Sequence, residues 1–273
     1  MYIYNPATQE SIKLCKLPSP QFEKAYLVPG FGFDSSSKQY KVVQLSHTRI
    51  EKNGGDINTE AQVLTLGGLN SSWRRLENVP KIESYVGSSS AVVNGVLYWI
   101  TTGKQILSFD LVSEKFELIA FPPIQSLSSI ILLMNLSGYL TVAVGPCRYL
   151  ELWMLKDSNE HGSWTTLRIK LLPGIGGNIF PICLWKENEI LLLCNSRILI
   201  CYSFYNGEYG PIFEIDGIPK NKEDSTTRSH SYEVYPYVAN LISLNLESVS
   251  QSARSKGMKG TLSATKKQMQ ERC

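Results

Sequence analysis

Short alternations of apolar and polar residues run along most of the chain and predict one β-strand after another. Tyr40–Leu45, Tyr139–Val144 and Trp164–Ile169 show the pattern most plainly, and they are rich in β-branched and aromatic residues. Such side chains pack well on the pleated surface of a sheet. The same pattern predicts strands at Ala61–Leu66, Ala91–Ile100, Gln105–Leu111, Tyr149–Leu155, Glu189–Cys194, Arg197–Tyr202 and Leu241–Leu246.

Turn signals separate these strands. They stand at Asn94-Gly95, Asn135–Gly138, Asn206-Gly207 and Asp216-Gly217. Asn and Gly readily supply the positive φ values that tight hairpins require. No pattern typical of a helix of ten or more residues occurs before the C-terminal tail, so the sequence predicts an all-β fold.

A unit of strands recurs along the chain. Its first turn starts at Asn94, Gly138 and Asn188, which are 44 and 50 residues apart. An aromatic residue leads its last strand, as at Trp164, and Trp73 lies 91 residues earlier, about two periods. A period of roughly 40–50 residues with four short strands is typical of a β-propeller blade. About five to six blades are expected, and the set is predicted to be incomplete at the N-terminus because the chain opens inside a blade.

The predicted propeller occupies residues 1–246, and a different composition follows in 247–273. The tail contains six Lys and Arg residues and two Glu, which makes it +4, whereas the whole chain is only +3. The body therefore carries −1. The tail is predicted to be a basic, disordered segment. The nearly neutral body shows no basic surface of the kind that binds nucleic acid.

Targeting signals are absent from the pattern. No run approaches the roughly 18 uncharged apolar residues of a membrane span, and the first residues lack the basic start and apolar core of a signal peptide. We therefore expect no membrane association and a cytoplasmic and/or nuclear location. The six Cys show no C-x-x-C spacing, and reduced thiols are expected.

Candidate chemistry is sparse. His47, His161 and His230 lie far apart in polar, loop-like stretches, so no metal site is predicted. Cys183, Cys194 and Cys201 fall inside apolar strands and are expected to be inert core residues. We predict no cofactor and no catalytic residue, and hence not an enzyme.

Two glycine-containing segments also do not indicate a binding site. Gly30-Phe-Gly32 and Gly174–Gly177 look like fragments of phosphate loops, but no helix follows either one, so both are interpreted as turns. Glu223-Asp224 lies beside lysines in a polar stretch and is interpreted as a solvated face.

Aromatic residues divide into two groups. Trp73 and Trp164 hold equivalent repeat positions, and Trp99 and Trp153 lie in strong strands, so all four are expected to pack between or within blades. Trp185 is the most plausible exposed tryptophan. Two long polar stretches, Ser46–Glu60 and Lys220–Tyr232, are predicted to be surface loops on which a partner could dock.

An ordered series of motifs resembles the plant F-box-associated domain. The series runs through Tyr4–Glu10 with Leu17-Pro18, Gly30–Asp34 with Gln39–Val43, Ser72–Arg74, Val93–Trp99, Ile106–Asp110 with Glu114–Phe116, and Glu151–Leu155 with Ser163–Thr165. The resemblance covers about residues 2–246 in the family's order.

This resemblance implies a kelch-like or galactose-oxidase-like propeller that selects protein substrates for an SCF ubiquitin ligase. In such adaptors an F-box docks the Skp-type linker of the cullin complex. No F-box motif precedes Tyr2, so linker and cullin binding are expected only when an F-box is supplied upstream. The family has no fixed substrate-contacting motif, and the protein-binding residues stay unknown.

Two other hypotheses remain open at this point. A propeller related to galactose oxidase or to sugar-binding proteins would be an enzyme or a carbohydrate binder, and copper oxidation would need clustered His and Tyr ligands. A chain short of blades would alternatively leave unpaired sheet edges and have no stable fold.

Overall fold

Antiparallel strands make up nearly all regular structure in the computed structural model. The structure describes residues 1–15, 25–50, 56–67, 72–82, 84, 86–124, 130–145, 149–157, 163–171 and 179–215. These residues contain eighteen strands and no helix. The strands are β1 Tyr2–Asn5, β2 Glu10–Lys13, β3 Tyr26–Asp34, β4 Gln39–Ile50, β5 Asp56–Thr65, β6 Arg74–Leu76, β7 Val86–Val93, β8 Val96–Thr101, β9 Gln105–Asp110, β10 Phe116–Ala120, β11 Ile130–Leu136, β12 Tyr139–Gly145, β13 Tyr149–Asp157, β14 Ser163–Lys170, β15 Ile179–Lys186, β16 Glu189–Cys194, β17 Ile198–Ser203 and β18 Tyr209–Glu214.

The described residues fall into two compact units. In the first, β1 and β2 pair as a two-stranded antiparallel hairpin within Met1–Leu14. The second holds four sheets of four strands, each a simple meander in chain order. We call these sheets blade 1 (β3–β6), blade 2 (β7–β10), blade 3 (β11–β14) and blade 4 (β15–β18).

Successive blades meet along their first strands. Strand β3 contacts β7, β7 contacts β11, and β11 contacts β15. Repetition of four-stranded sheets about their first strands is the arrangement of a β-propeller, and it confirms the predicted fold class. The total of five to six blades stays a prediction, as do the 1–246 domain and the basic tail, because residues 216–273 lie outside the described part.

The core lies between neighbouring blades. One apolar cluster joins blades 1 and 2 through residues such as Leu45, Trp99 and Phe109, which are fully buried. A second joins blades 2 and 3, and a third joins blades 3 and 4. On β9, Ile106 belongs to one cluster and Leu107 to another. Burial on both faces explains why apolar residues stand next to each other at Ile106 and Leu107 instead of alternating with polar ones.

Turns follow the predicted positions. Asn94 and Gly95 have φ of 49° and 81°, and Ser137 and Gly138 have φ of 52° and 81°. Positive φ at both central residues matches the twist of the flanking strands. Gly207 also has positive φ, at 72°. The predicted strand Leu241–Leu246 and the predicted turn at Asp216 lie outside the described residues.

The interpretation of Gly30-Phe-Gly32 as a turn is wrong. Both glycines lie inside β3. A Cβ at Gly30 would stand 2.5 Å from Cζ2 of Trp99, and one at Gly32 would stand 2.5 Å from Cδ1 of Leu111. Glycine is required here because blade 2 packs directly onto the backbone of β3, which is a tertiary contact.

The predicted loop Ser46–Glu60 is also wrong over most of its length. Ser46 to Ile50 continue β4, and Asp56 to Glu60 begin β5, and the two strands pair from Ile50↔Asp56 onward. Polar composition suggested a loop, but Ser46 and Thr48 are buried and carry ladder hydrogen bonds through their backbones. The Lys220–Tyr232 loop and Gly174–Gly177 lie outside the described residues.

Candidate functional site

The tryptophans at equivalent repeat positions bind the backbone of a preceding segment. Nε1 of Trp164, near the start of β14, donates to the carbonyl of Ala120 at the end of β10 at 3.2 Å. Nε1 of Trp73 donates to the carbonyl of Cys15 at 3.1 Å. Tyr209, which opens β18, repeats the contact through a 2.8 Å bond from its hydroxyl to the carbonyl of Lys170. The packing role predicted for Trp164 is confirmed, since it packs against the cluster between blades 2 and 3, and the packing role of Trp73 stays a prediction.

The remaining tryptophans also lie as predicted. Trp99 is fully buried, and its Nε1 donates to the carbonyl of Pro29 on blade 1 at 3.4 Å. Trp153 is partly buried and donates to Glu151 at 3.1 Å. Trp185 is 59% exposed, so only this tryptophan among the five is well placed to contact another molecule.

A buried group of charges joins blades 1 and 2, and sequence reasoning did not find it. Nζ of Lys41 lies 2.9 Å from Asp34 Oδ2 and 2.9 Å from Glu114 Oε1, and it donates to the carbonyl of Leu111 at 2.6 Å. Glu114 also accepts from Arg74 at 2.6 Å. The Lys41 and Asp34 side chains are only 7% and 5% exposed. Buried charges of this kind require such pairing, because each has lost its hydration.

The charges shift one another's pKa. The hydrogen bond from Lys41 lowers the pKa of Asp34 well below its usual value, against the opposing effect of burial. Burial by itself would lower the pKa of Lys41, but the two carboxylates outweigh it and raise that pKa. Burial by itself would raise the pKa of Glu114, but Lys41 and Arg74 outweigh this effect and lower that pKa. All three groups are therefore held in their charged forms.

A signal for this cluster was present in the sequence. Asp34, Lys41 and Glu114 each fall inside motifs that resemble the family: the Gly30–Asp34 segment, the Gln39–Val43 segment and Glu114–Phe116. Their spacing of seven and then 73 residues gave no local reason to bring them together. The contacts show that these motif residues connect neighbouring blades. A surface that binds a partner must therefore be formed by other residues.

The prediction that His47 lies in a loop-like stretch is wrong. It lies in β4 and is fully buried. Nδ1 is 2.9 Å from Oγ1 of Thr59 on β5, and among the described residues Nε2 has no hydrogen-bond partner. Burial lowers the pKa of His47 from 6.5 to about 4, so the imidazole is neutral at pH 7. His161 and His230 lie outside the described residues.

The cysteines of blade 4 are core residues, as predicted. Cys194 and Cys201 are buried, Cys183 is half-buried, and all three are free thiols. Burial raises the pKa of each thiol. A raised pKa lowers the thiolate fraction and hence the reactivity. Cys15 is exposed.

Converging metal ligands and long apolar helices would mark a metal site or a membrane span. Within the described ranges, no three His, Cys, Asp or Glu side chains converge as metal ligands would. That part of the chain also contains no helix with the length and hydropathy of a membrane span.

Several large exposed apolar side chains lie at one end of the blades, and others, such as Tyr26, Tyr149 and Phe213, lie elsewhere. Antiparallel meanders place the first-to-second and third-to-fourth strand turns at the same end, which we call the turn end. Val112, Tyr139, Trp185 and Tyr205 lie in or beside such turns and are 48%, 47%, 59% and 90% exposed. Side chains of Tyr and Trp are enriched in interfaces. Tyr139, Trp185 and Tyr205 at the turn end are therefore side chains of the kind that contact partners in interfaces.

Repeated four-stranded blades with exposed turns define a β-propeller of the kind that displays binding surfaces. The chain belongs to the F-box associated beta propeller domain family, whose model matches residues 1–237. The resemblance recognised from the motifs is thereby confirmed.

Relatives in Arabidopsis thaliana are F-box proteins. The chain is 31% identical to F-box protein At3g07870 over 261 residues, covering 80% of this chain and 62% of that protein. It is 32% identical to F-box protein DOR, covering 63% and 43%, and 26% identical to F-box protein CPR1, covering 60% and 46%. The chain thus spans between about two fifths and three fifths of the length of these relatives.

Proposed function

We propose that this chain is the substrate-recognition domain of an F-box-type adaptor for an SCF ubiquitin ligase. The family match over residues 1–237 supports the proposal most strongly. The chain would act without catalysis: the propeller holds a target protein, and an F-box joined to it docks the Skp-type linker. Tethering raises the effective concentration of the target at the ubiquitin-transfer centre.

The propeller suits this role physically. Clusters between blades hold the four sheets together, and the ion group of Asp34, Lys41 and Glu114 adds a fixed polar contact between blades 1 and 2. A rigid scaffold lets its exposed turns bind a partner with little loss of conformational entropy. The partners proposed are thus a target protein and, through an F-box, the linker and cullin, with no role for nucleic acid or membrane.

Ubiquitin transfer tests this function. The chain is fused behind an F-box, assembled with linker and cullin, and incubated with proteins captured by the chain from plant extract. We expect ubiquitin to be transferred to captured proteins by the fusion and not by the F-box alone. Equal transfer by the F-box alone would contradict the proposal.

Linker binding provides a second measurement. The chain without an added F-box is expected not to bind purified Skp-type linker, whereas the fusion binds it. Binding by the unfused chain would show that linker recognition is built into the propeller.

The proposed location is the cytoplasm and/or the nucleus, where the ubiquitin ligase operates. A fluorescent fusion expressed in plant cells checks this, and accumulation in the secretory pathway would be the opposing result.

A further inference from the structure

Two exposed aromatic side chains project from turns at the same end of blade 4. Trp185 lies next to the β15–β16 turn, and Tyr205 lies in the turn between β17 and β18. The backbone N–H of Phe204 donates to the carbonyl of Asn188 at 2.7 Å. This bond joins the two turns, so Trp185 and Tyr205 lie at the same end of the same sheet.

The turn that carries Tyr205 is held in place by its own hydrogen bonds. Gly207 N–H donates to the carbonyl of Ser203 at 3.0 Å, and Ser203 N–H donates to the carbonyl of Glu208 at 2.9 Å. The N–H of Tyr205 donates to Oγ of Ser203 at 3.3 Å. Beneath the turn, Phe204 packs edge-on against Tyr202, with ring centroids 5.8 Å apart. The backbone at Tyr205 is therefore held by hydrogen bonds, and 90% of the residue is exposed.

The charge of these two turns is negative. They carry Lys186, Glu187, Glu189 and Glu208, which is one positive and three negative charges, or −2. Lys186 is already engaged with Glu189, at 3.4 Å. Glu208 accepts a hydrogen bond from Asn206 at 2.8 Å, and among the described residues no Lys or Arg pairs with Glu187 or Glu208. Two carboxylates that pair with no Lys or Arg among the described residues thus share this end of blade 4 with the two exposed rings.

We propose that Trp185, Tyr205, Glu187 and Glu208, here called the acidic aromatic tip, dock a basic segment of the target protein. This inference rests on the proposed function and names the chemistry of its partner. Lys and Arg side chains are attracted to the faces of Trp and Tyr rings, and their stems pack on apolar surface. The carboxylates supply complementary charge, which speeds encounter and disfavours acidic partners. An acidic segment would instead meet charge repulsion at both turns.

Fluorescence anisotropy with two labelled peptides tests the docking chemistry. One probe consists of Arg-Leu-Ser repeats, and the other has Glu in place of every Arg. We expect the intact chain to bind the basic peptide more tightly than the acidic one. The paired variant Trp185→Ala/Tyr205→Ala, and separately Glu187→Gln/Glu208→Gln, should each weaken binding of the basic peptide by about tenfold or more, equivalent to about 1.4 kcal/mol.

The matched control is Tyr149→Ala. Tyr149 is 45% exposed but begins β13, at the opposite end of its blade from the turn end. The control should bind the basic peptide as the intact chain does. The Glu→Gln pair keeps the proposal testable if the aromatic pair destabilises the chain, since both glutamates lie in exposed turns. Lack of binding by the intact chain, equal binding by all variants, or preference for the acidic peptide would each overturn the proposal.

Target capture separates this surface from the function itself. The fusion described above and both paired variants could transfer ubiquitin to the targets equally well. In that case the proposed docking role of the acidic aromatic tip is wrong, whereas the adaptor function is supported. If the intact fusion captures no target, the function fails first. Loss of target capture in both paired variants, with retention in Tyr149→Ala, supports the tip as the docking surface.

Discussion

Lys41 is the residue on which the polar contact between blades 1 and 2 depends. Its ammonium group bridges Asp34 of its own blade and Glu114 of the next. Removing one partner of a buried ion group leaves the other charge desolvated and unpaired, which costs more than the pair contributes. This asymmetry makes the cluster sensitive to a single substitution.

Replacement of Lys41 by Met is expected to destabilise the chain by about 3–5 kcal/mol, measured by urea unfolding. Asp34 would then be a buried carboxylate without its cation. The exposed pair of Lys186 and Glu189 provides the control: Lys186→Met should change stability by less than about 1 kcal/mol. A double variant, Lys41→Met/Asp34→Asn, should recover part of the loss. Equal effects of the two lysine substitutions would contradict this account.

Protonation of His47 is expected to lower the stability of the fold as the pH falls. Its folded-state pKa is lowered to about 4 from 6.5, so the unfolded chain takes up the proton at higher pH than the folded chain. The free energy of unfolding therefore decreases as pH falls from about 6.5 to 4. Below about pH 4 the contribution of His47 no longer changes. At about 1.4 kcal/mol per unit, the loss reaches about 3 kcal/mol.

The variant His47→Gln isolates this contribution, because it has no proton to gain. Urea unfolding at several pH values should show a shallower decline for the variant between pH 6.5 and 4. Asp34 and Glu114 act at lower pH: their lowered pKa values stabilise the fold above the usual carboxyl pKa, and this is lost only as pH falls further. Identical pH profiles for the two proteins would show that His47 takes up its proton in the folded state as readily as in the unfolded one.

At the scale of the elements, β3 shows how a strand is shaped by its neighbour. Gly30 and Gly32 look like breaks in a strand pattern, since glycine has low strand propensity. They are accommodated because Trp99 and Leu111 of blade 2 occupy the space that side chains would need. Glycine within a strand often marks such a close approach.

Substitution of Gly30 by Ala should destabilise the chain by about 1–3 kcal/mol, because the added methyl group overpacks a fully buried tryptophan. Thermal unfolding measures the effect. Gly210→Ala in β18 is the matched control, since its nearest atom is Cβ of Cys201 at an ordinary 3.5 Å. A Gly30→Ala variant as stable as the control would mean that Trp99 can move aside without loss.

At the scale of the whole molecule, each of blades 2 and 3 packs against two neighbours. The clusters between blades 1 and 2, 2 and 3, and 3 and 4 share no residues but share blades. Unfolding a middle blade exposes two clusters at once. Nearest-neighbour coupling of this kind makes repeat arrays cooperative over short lengths.

We therefore expect blades 1 to 4 to unfold in one transition. Tryptophans lie beside or within all four blades, at positions 73, 99, 153, 164 and 185. Their fluorescence should change at the same urea concentration as the far-UV circular dichroism signal, and Leu107→Ala should lower both midpoints together. Two separated transitions would contradict a cooperative array, and a gradual change without a midpoint would favour the hypothesis of a chain without a stable fold.

Alternation and turn chemistry predicted much of this molecule. The hairpins at Asn94-Gly95 and Asn135–Gly138 and the repeated tryptophans at 73 and 164 were recognisable because their causes are local: side-chain period, positive φ and fixed spacing. His47 and the Ser46–Glu60 stretch were misjudged because polar composition cannot distinguish a solvent-exposed loop from two long paired strands. The pairing of β4 with β5 depends on where the chain returns, which composition does not record.

The amino-acid order alone determined the alternating strands and the blade repeat, since both follow from patterns within a few dozen residues, and an ordered series of motifs indicated the family. Only the tertiary structure decided which charges meet. Lys41 and Glu114 are 73 residues apart, and they meet only because blades 1 and 2 pack together. Contacts of that range depend on the packing of whole blades, and no local pattern encodes them.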